Sequence, residues 1–338
     1  MGVLGVPLPT VATFVGFGLL VGFIFGFFGM GSFLVTPILL VLGYDSTVAV
    51  GSGLAFVFGT AVIATLTHRD RGQVSPSLGL VTIVGTTAGI EVGKRGLLAL
   101  RSAGMADSVV GGTYVVLLGT VGALVVSDVR SDDGLSSRSG STLSDRFTDA
   151  IARMRPAVPR RPSLALPDGG SVSVWSLAAI TFLTGVPAGL LGIGGGFIRI
   201  PALTSLVGLS VPVAVGTNVF AITISGGIGA FSWAQAGGVD LSVVGPLLAG
   251  SAFGARLGSS VTPYVAAEES RAYFGTLLVL AAGALALKRV GTEMGRPWLR
   301  LVGIGLVVGA ALVVVGLVLR RAILTIRSGD GPTTVPSD

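Results

Sequence analysis

Uncharged apolar stretches recur along this chain at the length of a lipid bilayer, and they restrict its fold more than any other feature. Leu301–Leu319 is the clearest of them. A helix needs about 20 such residues to cross the hydrocarbon core. There, every backbone N–H and C=O must be paired inside the structure, so only helices and closed barrels can span. Composition agrees: 51% of the residues are hydrophobic and 11% charged, against about 25% charged in a soluble domain. The chain therefore reads as an all-α polytopic membrane protein, with the lipid bilayer as its first partner.

The same inventory excludes several functions. There is no cysteine and one histidine, His68. Disulfides, thiolate chemistry and Cys/His metal sites are not expected. A net charge of +6 would suggest nucleic acid in a soluble protein, but here the basic residues mostly flank apolar runs, the bias of cytoplasmic loops. No nucleic-acid partner is expected. The apolar segments hold no nucleophile–base pair, paired aspartates or zinc motif, so no enzyme, catalytic residue, metal or cofactor is expected. Met1–Pro9 lacks a basic leader, and the run after it reads as a retained first helix.

One stretch occurs twice. Gly29-Met30-Gly31-Ser32-Phe33 runs on to Pro37, and Gly194-Gly195-Gly196-Phe197 runs on to Pro201, about 164 positions later. Glycine adds backbone freedom and proline lacks an N–H, so each cluster should break a helix, with Pro37 and Pro201 as breakers. The repeat continues at an offset of 165. Ala49-Val50-Gly51-Ser52 matches Ala214-Val215-Gly216-Thr217, Gly43 matches Gly208, and Gly85, Gly89 and Gly93 match Gly250, Gly254 and Gly258. An internal duplication follows. The expected organisation is a first transmembrane repeat over 1–126, a polar, disordered linker over 127–171, a second repeat over 172–287, an extra helix over 298–320 and a polar tail over 321–338. Each repeat holds about four membrane helices, the first of them broken by glycine. The linker holds seven arginines and six aspartates and too little apolar surface to bury a core.

The breaks are the first candidates for chemistry. A discontinuous helix exposes backbone N–H groups to an anionic substrate, whereas the bland reading is that glycine only permits close helix contact. The expected site lies between the two breaks and uses Gly29, Gly31, Ser32, Gly194, Gly195 and Gly196. The hydroxyl and amide of Ser52, Thr217 and Asn218, beside Gly51 and Gly216, either satisfy free helix N–H groups or reach a ligand. The four-residue glycine ridges through Gly18, Gly85 and Gly250 read as packing. Charge inside the membrane is costly and marks function. Glu91 and Arg256, at equivalent repeat positions, could pair with each other or snorkel to an interface. Arg199 lies deeper, as an anion ligand or a partner for helix-end carbonyls.

These residues resemble the sulfite exporter TauE/SafE family. The pattern is the glycine cluster, Phe, aliphatic pair and Pro, then a turn and the Ala-Val-Gly-Ser/Thr segment, present over Gly29–Ser52 and Gly192–Thr217. The resemblance covers Thr10–Val126 and Val174–Leu287. It implies a transporter of sulfite, sulfonates or related organosulfur oxyanions without a cofactor. The first copy, Gly-Met-Gly-Ser, and Arg199 in place of an aliphatic residue depart from that pattern. The expected function is secondary transport or export of a small anion. The alternative is a membrane scaffold that recruits a cytoplasmic partner through 127–171. A homo-oligomer is left open. So is the topology: a break counted as one crossing gives parallel repeats, and an extra crossing at each break inverts them.

Overall fold

The computed structural model describes residues 2–3, 6–28, 31–70, 72–131, 162–167, 171–265, 267–296 and 298–328. In chain order the helices are α1 (Leu8–Phe28), α2 (Val35–Leu42), α3 (Ser46–Asp70), α4 (Pro76–Ser102), α5 (Ala106–Ser131), α6 (Val174–Leu191) and α7 (Gly196–Ala202). They continue with α8 (Val211–Gln235), α9 (Leu241–Val261), α10 (Ala267–Glu293) and α11 (Trp298–Ser328). Among the described residues, eight helices are long and apolar enough to cross a membrane. Helix α4, which carries Glu91, Lys94, Arg95 and Arg101, is not one of them.

Several helices outrun the apolar stretch that announced them. His68–Asp70 forms the end of α3, Lys288–Glu293 the end of α10, and Arg320–Ser328 the end of α11. Charged side chains do not stop a helix; they only change what surrounds it, and basic groups suit a helix C-terminus. The 127–171 segment carries regular structure at both edges. Helix α5 ends at Ser131, and β1 (Ser163–Ala165) pairs antiparallel with β2 (Ser171–Ser173). Residues 132–161 and 168–170 lie outside the described residues.

The chain divides into two compact units. The first takes Met1–Ser46, Asp107–Ser136 and Leu241–Asp338; the second takes Thr47–Ala106 and Ser137–Asp240. Each therefore mixes both halves of the sequence. In the first unit α1 lies along α9. A Cβ on Gly18, Gly22 or Gly26 would overlap the carbonyl oxygen of Leu247, Ser251 or Ala255. One on Gly250, Gly254 or Gly258 would overlap that of Val15, Leu19 or Phe23. Two backbones in such contact gain dispersion and Cα–H···O interactions, the terms that hold helices together in lipid. In the second unit α4 meets α6 in the same way. Gly89 and Gly93 abut the carbonyls of Phe182 and Val186, and Gly189 abuts that of Ile90. Glycine ridges that read as packing in the sequence are packing in the structure.

Around these pairs, the first unit adds α5, α10 and α11, with Gly303 of α11 against the Ala284 carbonyl of α10. Half-length α2 ends in a left-handed Gly43 (φ 93°), whose N–H and that of Tyr44 return to the carbonyls of Leu40 and Leu39. Arg300 of α11 donates to the last two carbonyls of α2, Val41 and Leu42. The second unit has an aliphatic core of Leu78, Leu177, Ile180, Leu203 and Leu209, with Leu164 and Val172 of the strand pair against it.

Candidate functional site

The second glycine break is built from backbone that only glycine adopts easily. Helix α6 ends at Gly192 (φ 73°), and Gly194 (φ 66°) and Gly195 (φ 74°) are also left-handed. A residue with a Cβ loses roughly 1–2 kcal/mol in that region. Gly195 then precedes α7, where Gly196 starts a helix of seven residues. The prolines are not the breakers. Pro37 lies in the first turn of α2 and Pro201 near the end of α7, so the helical path stops at the glycines upstream of each.

Arg199, on α7, is fully buried. Its Nε donates to Thr184 Oγ1 of α6 at 3.2 Å, and its Nη1 donates to Asn218 Oδ1 of α8 at 3.1 Å. Nη2 has no hydrogen-bond partner among the described residues. A Cβ on Gly195 would stand 2.6 Å from Nη2, and one on Gly196 would stand 3.0 Å from Asn218 Nδ2. The glycine cluster thus makes room for the guanidinium and its amide partner. No ion pair reaches Arg199 among the described residues. It is also the one buried Asp, Glu, His, Lys or Arg among them.

Burying an ion costs several kcal/mol, usually recovered by a counter-charge and full hydrogen bonding. Each hydrogen bond to a charged group contributes about 1.5–3 kcal/mol. Two neutral partners therefore offset part of the cost and leave both the charge and Nη2 uncompensated. A planar guanidinium with free N–H groups matches the oxygens of a carboxylate, phosphate or similar oxyanion. Thr184 was not legible as a site residue, because nothing in the sequence joins it to Arg199 across fifteen positions. The α6–α7 turn makes that approach.

The hydroxyls of Ser52 and Thr217 have symmetrical employment. Ser52 Oγ accepts the N–H of Asp240 at 3.0 Å, and Thr217 Oγ1 accepts the N–H of Ser75 at 3.1 Å. Asp240 and Ser75 directly precede α9 and α4. A Cβ on Gly51 would overlap the Gly238 carbonyl, and one on Gly216 the Gln73 carbonyl. All four contacts lie in the second unit and are related by the offset of 165. Each hydroxyl thus holds the backbone of a residue from the other half of the sequence.

The first break is different. Residues Gly31–Leu34 form a 3₁₀ turn that leads into α2, so Gly31 and Ser32 lie in that turn; Gly29 lies outside the described residues. Arg199 of the second copy corresponds to Val35, which is buried. The polar feature is a hydrogen bond between the buried side chains of Thr36 and Tyr114. Elsewhere, the Glu91 carboxylate is shared by Lys94, Arg95 and Ser232 at 3.1, 2.9 and 2.9 Å. Lys94 also donates to Ser232. Arg256 belongs to the first unit and is exposed.

Bilayer-length helices, zipped by glycine, define a multi-pass integral membrane protein. The sulfite exporter TauE/SafE family matches the chain over residues 14–285, and again over 177–319. The chain belongs to that family. It is 27% identical to a probable membrane transporter protein of Xylella fastidiosa (strain 9a5c), over 79% of this chain and 92% of that one. It is 26% identical to the probable membrane transporter protein YunE of Bacillus subtilis (strain 168), over 77% and 86%. No solved structure matches it.

Proposed function

We propose that this membrane transporter carries small oxyanions of sulfur, such as sulfite and sulfonates, as a secondary transporter or exporter, and that Arg199 is the substrate's charged ligand. The observation that carries the reading is the buried guanidinium with neutral partners and an unpaired Nη2. A charge so placed is costly unless a mobile counter-ion visits it. Asn218 and Thr184 hold the guanidinium in one orientation, and the Gly194–Gly195 turn gives an anion close approach to it. In this closed arrangement Arg199 is shielded from solvent, so entry requires the elements around the break to move. Such movement is the ordinary requirement of alternating access at a discontinuous helix.

The test is flux into proteoliposomes holding the whole chain. Sulfite or methanesulfonate should enter faster than into empty vesicles, and Arg199→Gln should remove the difference while the protein still purifies as a single species. Equal flux in loaded and empty vesicles would overturn the reading. So would full activity in the Arg199→Gln protein.

A further inference from the structure

We infer that the Arg199 site selects oxyanions carrying a single negative charge and rejects those carrying two. This rests on the reading of Arg199 as the substrate ligand. Charge balance away from solvent sets this preference. Arg199 is fully buried and is the one buried ionic side chain among the described residues. Its hydrogen-bonded partners, the Thr184 hydroxyl and the Asn218 amide, are neutral. Of the other described lysines and arginines of this unit, Lys94 and Arg95 are engaged by Glu91, and Arg69 and Arg101 are exposed at the ends of α3 and α4. The site therefore brings one positive charge to the ligand.

A monoanion on Nη2 makes a neutral buried pair. A dianion leaves one net negative charge in the same low-dielectric surroundings, with no second cation to meet it. Paired and unpaired buried charges differ by far more than neutral contacts of similar size do. Sulfonates and hydrogen sulfite are singly charged with three oxygens on sulfur. Sulfate and disulfonates have the same kind of oxygens and one charge more. The accepting oxygens are of one kind in the two groups, and the disulfonate and sulfate, which differ from each other in shape, share the extra charge. The two N–H bonds of Nη2 can meet one or two oxygens of either group, so hydrogen bonding does not choose between them.

Competition in proteoliposomes of the full-length protein tests this directly. Uptake of labelled methanesulfonate is measured against unlabelled ethanesulfonate, ethane-1,2-disulfonate and sulfate. Ethanesulfonate should compete at about 100-fold lower concentration than either dianion, a preference typical of one unpaired buried charge. Asn218→Asp, which sets a carboxylate against the guanidinium, should abolish uptake of every anion without changing the yield of folded protein. Equal competition by monoanions and dianions, lost together in Arg199→Gln, would overturn the charge rule and leave Arg199 as the ligand. Uptake unaffected by Arg199→Gln would overturn the underlying site.

Discussion

The two glycine breaks share a sequence pattern, rest on the same kind of support, and hold opposite things. Behind each, a helix lies glycine-to-backbone against a partner, α1 on α9 and α6 on α4. Each is followed by a short helical path that closes on a left-handed glycine, α2 on Gly43 and α7 with the π turn after it on Gly208. Yet the first break leads to the buried Val35, beside a neutral hydrogen bond between the Tyr114 and Thr36 side chains, whereas the second carries Arg199, Asn218 and Thr184. At the position of Asn218 the first copy has Gly53. Two similar frames thus carry different side chains, and the buried charge sits in one of them. The lesson is that close glycine packing makes the frame, while the side chains at three positions decide what the frame holds.

The largest expected effect tests the shared support. Gly22→Leu in α1 and Gly189→Leu in α6 each push a side chain into a facing carbonyl, with a cost of about 3 kcal/mol or more from overpacking that cannot relax. Neither variant should yield monodisperse protein by size-exclusion chromatography; a normal profile from either would break the equivalence of the two frames. Next comes Arg199→Val, which gives the second break the residue of the first. Sulfonate flux should fall about 100-fold or more, and thermal stability should hold or rise, since apolar replacement of a buried ion is often neutral to stabilising. A variant that unfolds instead would show that Arg199 is structural.

Asn218→Ala is intermediate. It leaves Nη1 buried without its acceptor, a loss of about 1–3 kcal/mol, and flux should drop roughly ten- to a hundredfold. Retained flux would remove Asn218 from the site. The smallest effect belongs to the first break. Thr36→Val removes the Tyr114 partner at a cost of about 1 kcal/mol, read as a modest fall in melting temperature, with flux changed less than about threefold on that scale. A collapse of flux in Thr36→Val would place substrate handling in both breaks.

Much of this was legible in the sequence because bilayer length and glycine spacing are direct physical signals. The apolar runs located the membrane helices, since nothing else satisfies backbone in lipid. Spacing of four placed Gly85, Gly89 and Gly93 on one helix face, and that face is the one buried. Arg199 stood out because an arginine inside an apolar run is expensive. Helix ends were less legible: Arg320–Ser328 looks like a polar tail but continues α11, because the hydropathy that marks a bilayer says nothing of where hydrogen bonding stops.

One comparison shows the boundary well. The offset between copies is 164 at Pro37 and Pro201 but 165 at Gly43 and Gly208, so the second copy has one extra residue between them. Counting alone reveals the insertion. The structure shows that it is absorbed as a π turn over Leu203–Val207 rather than as a loop, a device that re-aims a helix without ending it.

By itself the sequence determined that the chain crosses a membrane, that one glycine-rich pattern occurs in it twice, and that one arginine sits where charge is costly. These follow from local composition and spacing. Only the tertiary structure decided that each unit combines elements of both halves, and that Ser52 and Thr217 hold backbone of the opposite half. It also decided that Arg199 meets Thr184 and Asn218 and no carboxylate. The reason is physical. Partners across fifteen to nearly two hundred positions are chosen by helix packing, and packing depends on how glycine faces nest in three dimensions.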